Sequence, residues 1–362
     1  MDAGLNYEEI PSAVSAEQTK EIVALERLGM NLKSRVEEAV GARFPLEAEK
    51  QSQLFHMPRV AANVLQYIQK EFQAKNIPVS EKEKKLAAVF AWGHDAGKFL
   101  DSEIIGKINE LDEVRINDML NQMGLTEEEK WIFAQAVSAK RSDQERLKQG
   151  ERPGYNREWD IAHNLLSAFY LEASDFLGEG SNLKPETKKL IIDMVIAHQF
   201  SGYYQDLARG LNWGDQYVDA INAIKRFKDA PISDYCKLML KTAKSGDIIE
   251  MLAIGNIGLD GKFTPGGLVK ILNLSLKEGV SIQIALSEAI SRVGKSINQV
   301  MIDLQGAGCD SAIKDGKILF NQANSFLDLL SCEEVKSFDG IWILRQHILA
   351  SAQNFASDKA SK

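Results

Sequence analysis

The apolar residues of this chain recur at helical spacing along most of its length, and this pattern limits the possible folds more than any other feature. They form one stripe across residues 21–42, and Val60, Val64, Ile68 and Phe72 repeat every four residues. Such spacing lines one face of a helix with apolar side chains, whereas strict alternation would indicate a strand. Alternating segments are scarce, so the sequence predicts an all-α fold.

Local signals predict where several helices begin and end. Pro58 stands where a first helical position is expected, a place that proline prefers. The run 80–83, Ser-Glu-Lys-Glu, is a capping box that should start a helix running into His94. The charged stretch 139–157 contains a Pro-Gly pair and is predicted to be a loop, followed by a helix over about 158–176.

The second half of the chain shows the same kind of signals. Pro185 is expected to start the helix that carries His198, and a later helix should run past Asp247. The glycine-rich stretch 255–267 is the clearest boundary in the chain. Beyond it, the pattern indicates further helices and one short strand-like piece, 317–320.

These boundaries predict three regions. An N-terminal helical extension covers residues 1–48, a helical domain covers 49–255, and a mostly helical C-terminal region covers 256–362. The last region lacks the basic face of a winged-helix module. Its pattern therefore favours a helical cap over a site or a surface for a protein partner.

Composition excludes several classes of function. An apolar content of 44% is ample for a sizeable core, and a net charge of −8 argues against a chain that wraps nucleic acid. It does not exclude a nucleotide substrate, because bound metal ions reverse the local charge. Three cysteines without a CxxC pair predict neither a disulfide scaffold nor a zinc knuckle. No secretory signal or apolar span is visible, so we expect a cytoplasmic protein without a membrane partner. A protein exported by a dedicated secretion system would have the same sequence features.

Four of the five histidines fall in one order with two aspartates: His…His-Asp…His…His…Asp. Each of these residues lies on the apolar stripe of its predicted helix, where an ionised aspartate is costly unless it is paired or bound to a cation. A single histidine in such a place is more often a core residue, but the whole set indicates a metal centre. The predicted ligands are His56, His94, Asp95, His163, His198 and Asp247.

This donor set predicts the kind of ion and the chemistry. Imidazole with carboxylate suits two divalent transition-metal ions, Mn, Fe, Co, Ni or Zn, better than Mg or Ca. Gly93 and Gly97 allow the helix to end or kink, so that His94 and Asp95 both reach an ion, and Asp95 has two oxygens with which to bridge two ions. Two ions would clamp a phosphate and convert a bridging water into hydroxide. Lys98 is placed to meet a phosphate oxygen.

The motif His-Asp-Ala-Gly-Lys at 94–98, with an earlier histidine and a late aspartate, resembles the HD superfamily of metal-dependent phosphohydrolases over roughly residues 51–254. The resemblance implies an HD-domain helical bundle and a phosphohydrolase or phosphodiesterase that cleaves a nucleotide or other phosphate ester through a metal-bound hydroxide. Asp95 and Lys98 would be catalytic. Carried over by position, His56, His94, Asp95 and Asp247 would hold one metal, and Asp95 would bridge to a second held by His163 and His198.

The match departs from known branches in two places. The cyclic-di-GMP phosphodiesterase branch has paired histidines and a Gly-Tyr-Pro signature, whereas here His198 is single and Gly-Tyr-Tyr follows it too soon. The long gap from Asp95 to His163 is similar to that of inositol oxygenases, which hold two irons with the same ligand order. A di-iron oxygenase of a small polyol or phosphonate is therefore an alternative function. Lys98 does not distinguish it from a phosphohydrolase, because both branches can have a lysine at this position. A non-catalytic sensor or interaction module is the third alternative, and it predicts an incomplete ligand set.

Further residues are candidates for contacts with a phosphate-ester substrate, with a nucleotide or a nucleic-acid end as the expected classes. Arg141 and Arg157 belong to a basic cluster near His163 in an otherwise acidic chain. The alternative is a solvated loop. Tyr203 follows His198 and would stack on a base, although ordinary packing of this side chain is the simpler interpretation. With Lys98, these residues complete the predicted substrate contacts.

Overall fold

The computed structural model describes residues 15–43, 47–151, 156–174, 182–198, 205–218, 232–252 and 281–330. Within these residues the regular elements are all helices, which confirms the all-α prediction. In chain order they are α1 (Ala16–Arg43), α2 (Glu47–Ala74), α3 (Glu81–Gly93), α4 (Ala96–Phe99), α5 (Asp101–Glu110), α6 (Glu113–Gln122), α7 (Glu127–Lys148), α8 (Arg157–Ile161), α9 (His163–Ala173), α10 (Pro185–Ala197), α11 (Gln205–Gly210), α12 (Asp234–Ile248), a 3₁₀ turn (Ile249–Leu252), α13 (Ile282–Ala307) and α14 (Asp310–Leu330).

The main core is built from the predicted apolar stripes. Leu25, Leu32 and Val36 of α1 are fully buried and pack in the same core as Val64 and Phe72 of α2. Burial of each such side chain contributes about 1.5–3 kcal/mol. The N-terminal helix therefore shares its core with the helices that follow, and the predicted divisions at 48/49 and 255/256 stay predictions.

The helix that leads to the His-Asp pair begins and ends where the sequence indicates. Ser80 and Glu83 form the expected capping box, with the Ser80 amide donating to Glu83 Oε2 at 2.8 Å. The helix ends at Gly93, with His94 as its C-cap, and α4 starts after Asp95, whose φ and ψ are −101° and 7°. This change of backbone direction lets two adjacent residues face the same point, which an uninterrupted helix would prevent.

Four local predictions are wrong. Pro58 lies inside α2 and not at its start, since the helix already begins at Glu47. The stretch 139–157 is helical as far as Lys148, because its charges are the solvated face of a helix with pairs such as Lys148 to Glu145 at 2.6 Å. The helix expected over 158–176 is broken between α8 and α9. The strand-like piece 317–320 lies within α14, where two of its apolar residues pack on a second core.

That second core joins the C-terminal helices to the rest of the molecule. Helices α13 and α14 pack together and contribute residues such as Val293, Leu304 and Leu327. Ile249 and Leu252 of the 3₁₀ turn are buried in the same cluster. The predicted boundary at 255–267 lies outside the described residues, as does Tyr203.

Candidate metal centre

The structure brings the six predicted ligands to one place, and each comes from the end or the interior of a different segment. Adjacent helices present them because α3 packs on α2, α9 on α10 and α12 on α2. His56 lies in α2, His94 caps α3, Asp95 joins α3 to α4, His163 starts α9, His198 caps α10 and Asp247 lies near the end of α12.

One group of ligand atoms surrounds one oxygen of each aspartate. His56 Nε2 lies 3.6 Å from Asp95 Oδ2 and 3.6 Å from Asp247 Oδ1. His94 Nε2 lies 3.4 Å from Asp247 Oδ1 and 3.7 Å from Asp95 Oδ2. The two Nε2 atoms are 3.3 Å apart. Since protein ligands lie about 2 Å from transition-metal ions, atoms at these separations could share one cation.

A second group lies on the other oxygen of Asp95. His163 Nε2 is 3.1 Å and His198 Nε2 is 4.0 Å from Asp95 Oδ1, and the two nitrogens are 3.2 Å apart. The two oxygens of Asp95 therefore face two different pairs of imidazoles. This is the placement that a carboxylate bridging two cations requires.

Backbone carbonyls fix the tautomer of three of the imidazoles. In each ring Nδ1 contacts a carbonyl oxygen, which only accepts, so Nδ1 carries a proton, and the neutral ring then presents its Nε2 lone pair to the centre. The pairs are His94 with Ala91 at 2.8 Å, His163 with Asp160 at 2.6 Å and His198 with Val195 at 2.5 Å.

These lone pairs face the carboxylate oxygens of Asp95 and Asp247, which are also acceptors. Two acceptors at such short distances repel each other unless a cation lies between them. Asp95 Oδ1 is buried and accepts no hydrogen bond of ordinary geometry, although Lys98 Nζ lies 2.9 Å and His163 Nε2 lies 3.1 Å from it. The donor set, imidazole nitrogens with carboxylate oxygens, suits divalent transition-metal ions. The residues present therefore fit such an ion on chemistry as well as on distance.

The protonation states also favour ligation. Burial lowers the pKa of His198 well below its usual value, helped by its neighbours His94 and His163, and burial lowers the pKa of His163 as well. Burial alone would raise the pKa of Asp95, but the Lys98 ammonium and the nearby imidazoles outweigh it and hold that pKa well below the usual range. The neighbouring imidazoles, first His94 and then His198 and His56, likewise outweigh burial and lower the pKa of Asp247. Metal ligands must be deprotonated, and these groups are.

The centre is closed on one side and open on the other. His94, Asp95, His163 and His198 are all buried. The side chains of Asp247, His56 and Lys98 are 19%, 25% and 31% exposed. Of the ligand-bearing part that the structure describes, the accessible side is therefore the edge formed by these three residues, which we call the open edge.

A small set of contacts joins the His-Asp turn to α9. The Gly97 amide donates to Ser167 Oγ at 2.7 Å, and Ser167 Oγ donates to the His94 carbonyl at 2.8 Å. Trp159 Nε1 donates to the Gly97 carbonyl at 2.6 Å. A Cβ at Gly97 would lie only 2.3 Å from the His163 carbonyl oxygen. Glycine is therefore required here so that Asp95 and His163 can approach each other.

Sequence reasoning missed Glu250, which is buried beside the centre. Its Oε2 lies 2.9 Å from His56 Nδ1, and its Oε1 accepts from Arg59 Nε. Burial alone would lower the pKa of His56, but the hydrogen bond and charge of Glu250 outweigh it and raise that pKa. One signal was available: Glu250 follows Asp247 by three positions, and residues so spaced share a helical face. Trp159 and Ser167 were also missed, because nothing in their local sequence distinguishes them from core residues.

The predicted substrate contacts lie in different surroundings. Lys98 is in the centre beside Asp95. Arg141 is exposed on α7, where its Nη2 donates to Asn109 Oδ1 at 2.8 Å, and Arg157 is exposed at the start of α8. The roles of both arginines stay predictions.

Two further findings complete the description. No match was found to a protein-family model, a curated protein or a solved structure. Among the described helices, none combines the length and apolar content that crossing a membrane requires. The buried histidine and aspartate groups that could hold metal ions are therefore the main guide to function.

Proposed function

We propose that this protein is a metal-dependent phosphohydrolase or phosphodiesterase of the HD type, acting on a nucleotide or another phosphate ester. The observation that carries the proposal is the position of Asp95, whose two oxygens face two separate pairs of imidazoles. The cofactor would be two divalent transition-metal ions held by the six ligands. When bound, such ions polarise a phosphoryl oxygen and lower the pKa of a coordinated water.

Lys98 would act on the substrate at the open edge. Burial alone would lower its pKa, but the carboxylates of Asp95, Asp160 and Asp247 outweigh burial and raise it. The ammonium is therefore charged at neutral pH and lies where an incoming phosphate would pass. It supports catalysis by offsetting negative charge that develops on a phosphoryl oxygen.

The shape of the site limits how a substrate can bind. Because the described walls on the side of His163 and His198 are buried, the edge of the described residues that is left for an incoming phosphate group is that of His56, Asp247 and Lys98. This supports a substrate whose phosphate protrudes from the rest of the molecule, such as a terminal phosphate or a flexible diester.

An activity screen with a matched pair of variants tests the proposal. Purified protein would be assayed on bis(4-nitrophenyl) phosphate and 4-nitrophenyl phosphate with Mn²⁺, Fe²⁺, Co²⁺, Ni²⁺ and Zn²⁺. Asp95→Asn should reduce turnover at least ~100-fold, because the bridging ligand is lost. Asp193→Asn removes another buried carboxylate, one paired with Lys189, and should leave turnover unchanged. Wild-type turnover in Asp95→Asn would refute the proposal.

The same pair of ligand groups also supports the second candidate, a di-iron oxygenase of a small polyol or phosphonate. Both functions need a carboxylate shared between two groups of imidazoles, and a purely sensing module does not. Iron content after purification without chelator and oxygen uptake with polyols would favour the oxygenase. Phosphate release with another metal would favour the hydrolase.

A further inference from the structure

We propose that Glu250 is a positioning residue of the metal centre. It holds the His56 ring so that Nε2 faces Asp95 and Asp247, and it thereby increases the affinity for a cation at these three side chains. The inference rests on the metal centre of the proposed function but not on the reaction catalysed there.

Glu250 is the partner that His56 has in place of a backbone carbonyl. The other three imidazoles are oriented by the backbone carbonyl three residues earlier in the chain, whereas His56 Nδ1 lies 2.9 Å from Glu250 Oε2. An ionised carboxylate can only accept, so this contact places a proton on Nδ1, and the neutral ring then has its lone pair on Nε2 for a ligand. A carboxylate behind a ligating histidine also increases the basicity of that histidine.

His56 has more need of such a partner than the other three histidines. Its side chain is 25% exposed, against 1% for His94 and 2% for His163 and His198. This greater exposure leaves more of the ring surface without protein contact at the open edge. The hydrogen bond to Glu250 therefore determines the direction of the ring where packing does not.

The carboxylate of Glu250 is itself held firmly. It is 3% exposed, and Arg59 Nε, three residues after His56 in α2, donates to its second oxygen. A buried carboxylate is stable only when it is paired and hydrogen-bonded, and this pairing meets both conditions. The neighbouring Ile249 and Leu252 are buried in the second core, which fixes the 3₁₀ turn on the C-terminal helices.

The test is the dissociation constant for Mn²⁺ alone, measured by equilibrium dialysis on the full chain. Glu250→Ala should weaken binding by ~10- to 100-fold, as is typical for loss of a carboxylate behind a ligating histidine. Glu250→Gln keeps an acceptor oxygen, so its dissociation constant for Mn²⁺ should lie between those of the wild type and Glu250→Ala. Glu83→Gln changes another buried, hydrogen-bonded glutamate at the far end of α3 and should bind as the wild type does.

A double-mutant cycle separates positioning from general loss of structure. If Glu250 acts through His56, Glu250→Ala should cause little further loss in a His56→Ala background. A structural defect would weaken binding equally in both backgrounds and would overturn the inference, as would wild-type affinity in Glu250→Ala. Absence of Mn²⁺ binding by the wild-type chain would overturn the metal centre as well, so the two failures are distinguishable.

Discussion

At the scale of single residues, the centre depends on where protons sit. Three imidazoles are bound through Nδ1 to carbonyl oxygens and one is bound to Glu250, so all four Nε2 atoms face Asp95 or Asp247. Burial keeps His198 neutral, whereas Glu250 favours the charged form of His56. Histidines in one site therefore differ in how they couple stability to pH.

This difference predicts opposite effects of two substitutions in the metal-free protein. The pKa of His198 is lowered, so the unfolded state binds the extra proton and stability falls as the pH drops below about 6.5. His198→Gln should therefore make the loss of unfolding free energy between about pH 7 and pH 5 smaller. The pKa of His56 is raised, so it contributes stability that is present below about pH 6.5 and is lost as the pH rises. His56→Gln should therefore make the loss of unfolding free energy between about pH 7 and pH 5 larger.

Urea denaturation in the presence of chelator at both pH values measures these effects. If both variants change the pH dependence of the unfolding free energy in the same direction, the protonation of His56 and His198 does not have opposite effects on stability.

A second prediction at this scale concerns Lys98. Lys98→Met keeps the aliphatic stem but removes the charge, so turnover on a phosphodiester should fall by ~100-fold or more. Metal content should not fall, because a cation next to Asp95 has been removed. Lys107→Met, on the surface of α5, is the control. Equal turnover in the two variants would exclude a role for the Lys98 ammonium in catalysis.

At the scale of helices, the site depends on a close approach between the His-Asp turn and α9. Gly97 is in contact with the backbone of His163 and with Ser167, which in turn binds the His94 carbonyl. No flexible side chain stands at the closest contact, so a methyl group there must displace backbone.

Gly97→Ala should therefore destabilise the protein by about 1–3 kcal/mol, as overpacking does, and should weaken metal binding. Gly106→Ala is the matched control, because an added Cβ in α5 meets nothing within 4 Å. That variant should be as stable as the wild type or up to ~1 kcal/mol more stable, since alanine favours helix. Thermal unfolding and Mn²⁺ dialysis of both variants measure the contrast, and similar behaviour of the two would show that the close approach is unimportant.

At the scale of the whole molecule, two cores meet at the 3₁₀ turn. Ile249 and Leu252 belong to the second core with α13 and α14, whereas Glu250 between them contacts His56. The C-terminal helices therefore support one wall of the centre without contributing a predicted ligand. Their packing should be coupled to metal affinity.

Leu304 in α13 tests this coupling from outside the site. It is fully buried in the second core, so Leu304→Ala should cost about 2–5 kcal/mol of unfolding free energy. It should also weaken Mn²⁺ binding, because the 3₁₀ turn loses support. Leu28→Ala creates the same kind of cavity in the main core and should lower stability with a smaller effect on affinity. Equal losses of affinity in the two variants would contradict a specific coupling.

The sequence predicted well what depends on near neighbours. The capping box at 80–83 and the chain break at the His-Asp pair are local patterns, and both are present. It failed where local patterns have two meanings: the charges after residue 139 mark a solvated helix face, and the apolar run 317–320 is part of a helix that packs on a second core. Pro58 was misjudged because the start of α2 lies upstream of it.

The sequence by itself determined the helical class and the six residues that meet at the centre, because helical periodicity and the order of the ligands can be read without knowing how the helices pack. Only the tertiary structure decided which oxygen of Asp95 faces which histidines, which edge is open, and that Glu250 lies behind His56. Those two residues are 194 positions apart, and their contact depends on how α12 and its 3₁₀ turn pack on α2. No local pattern specifies a distance of that kind, since it is set by the packing of the whole molecule.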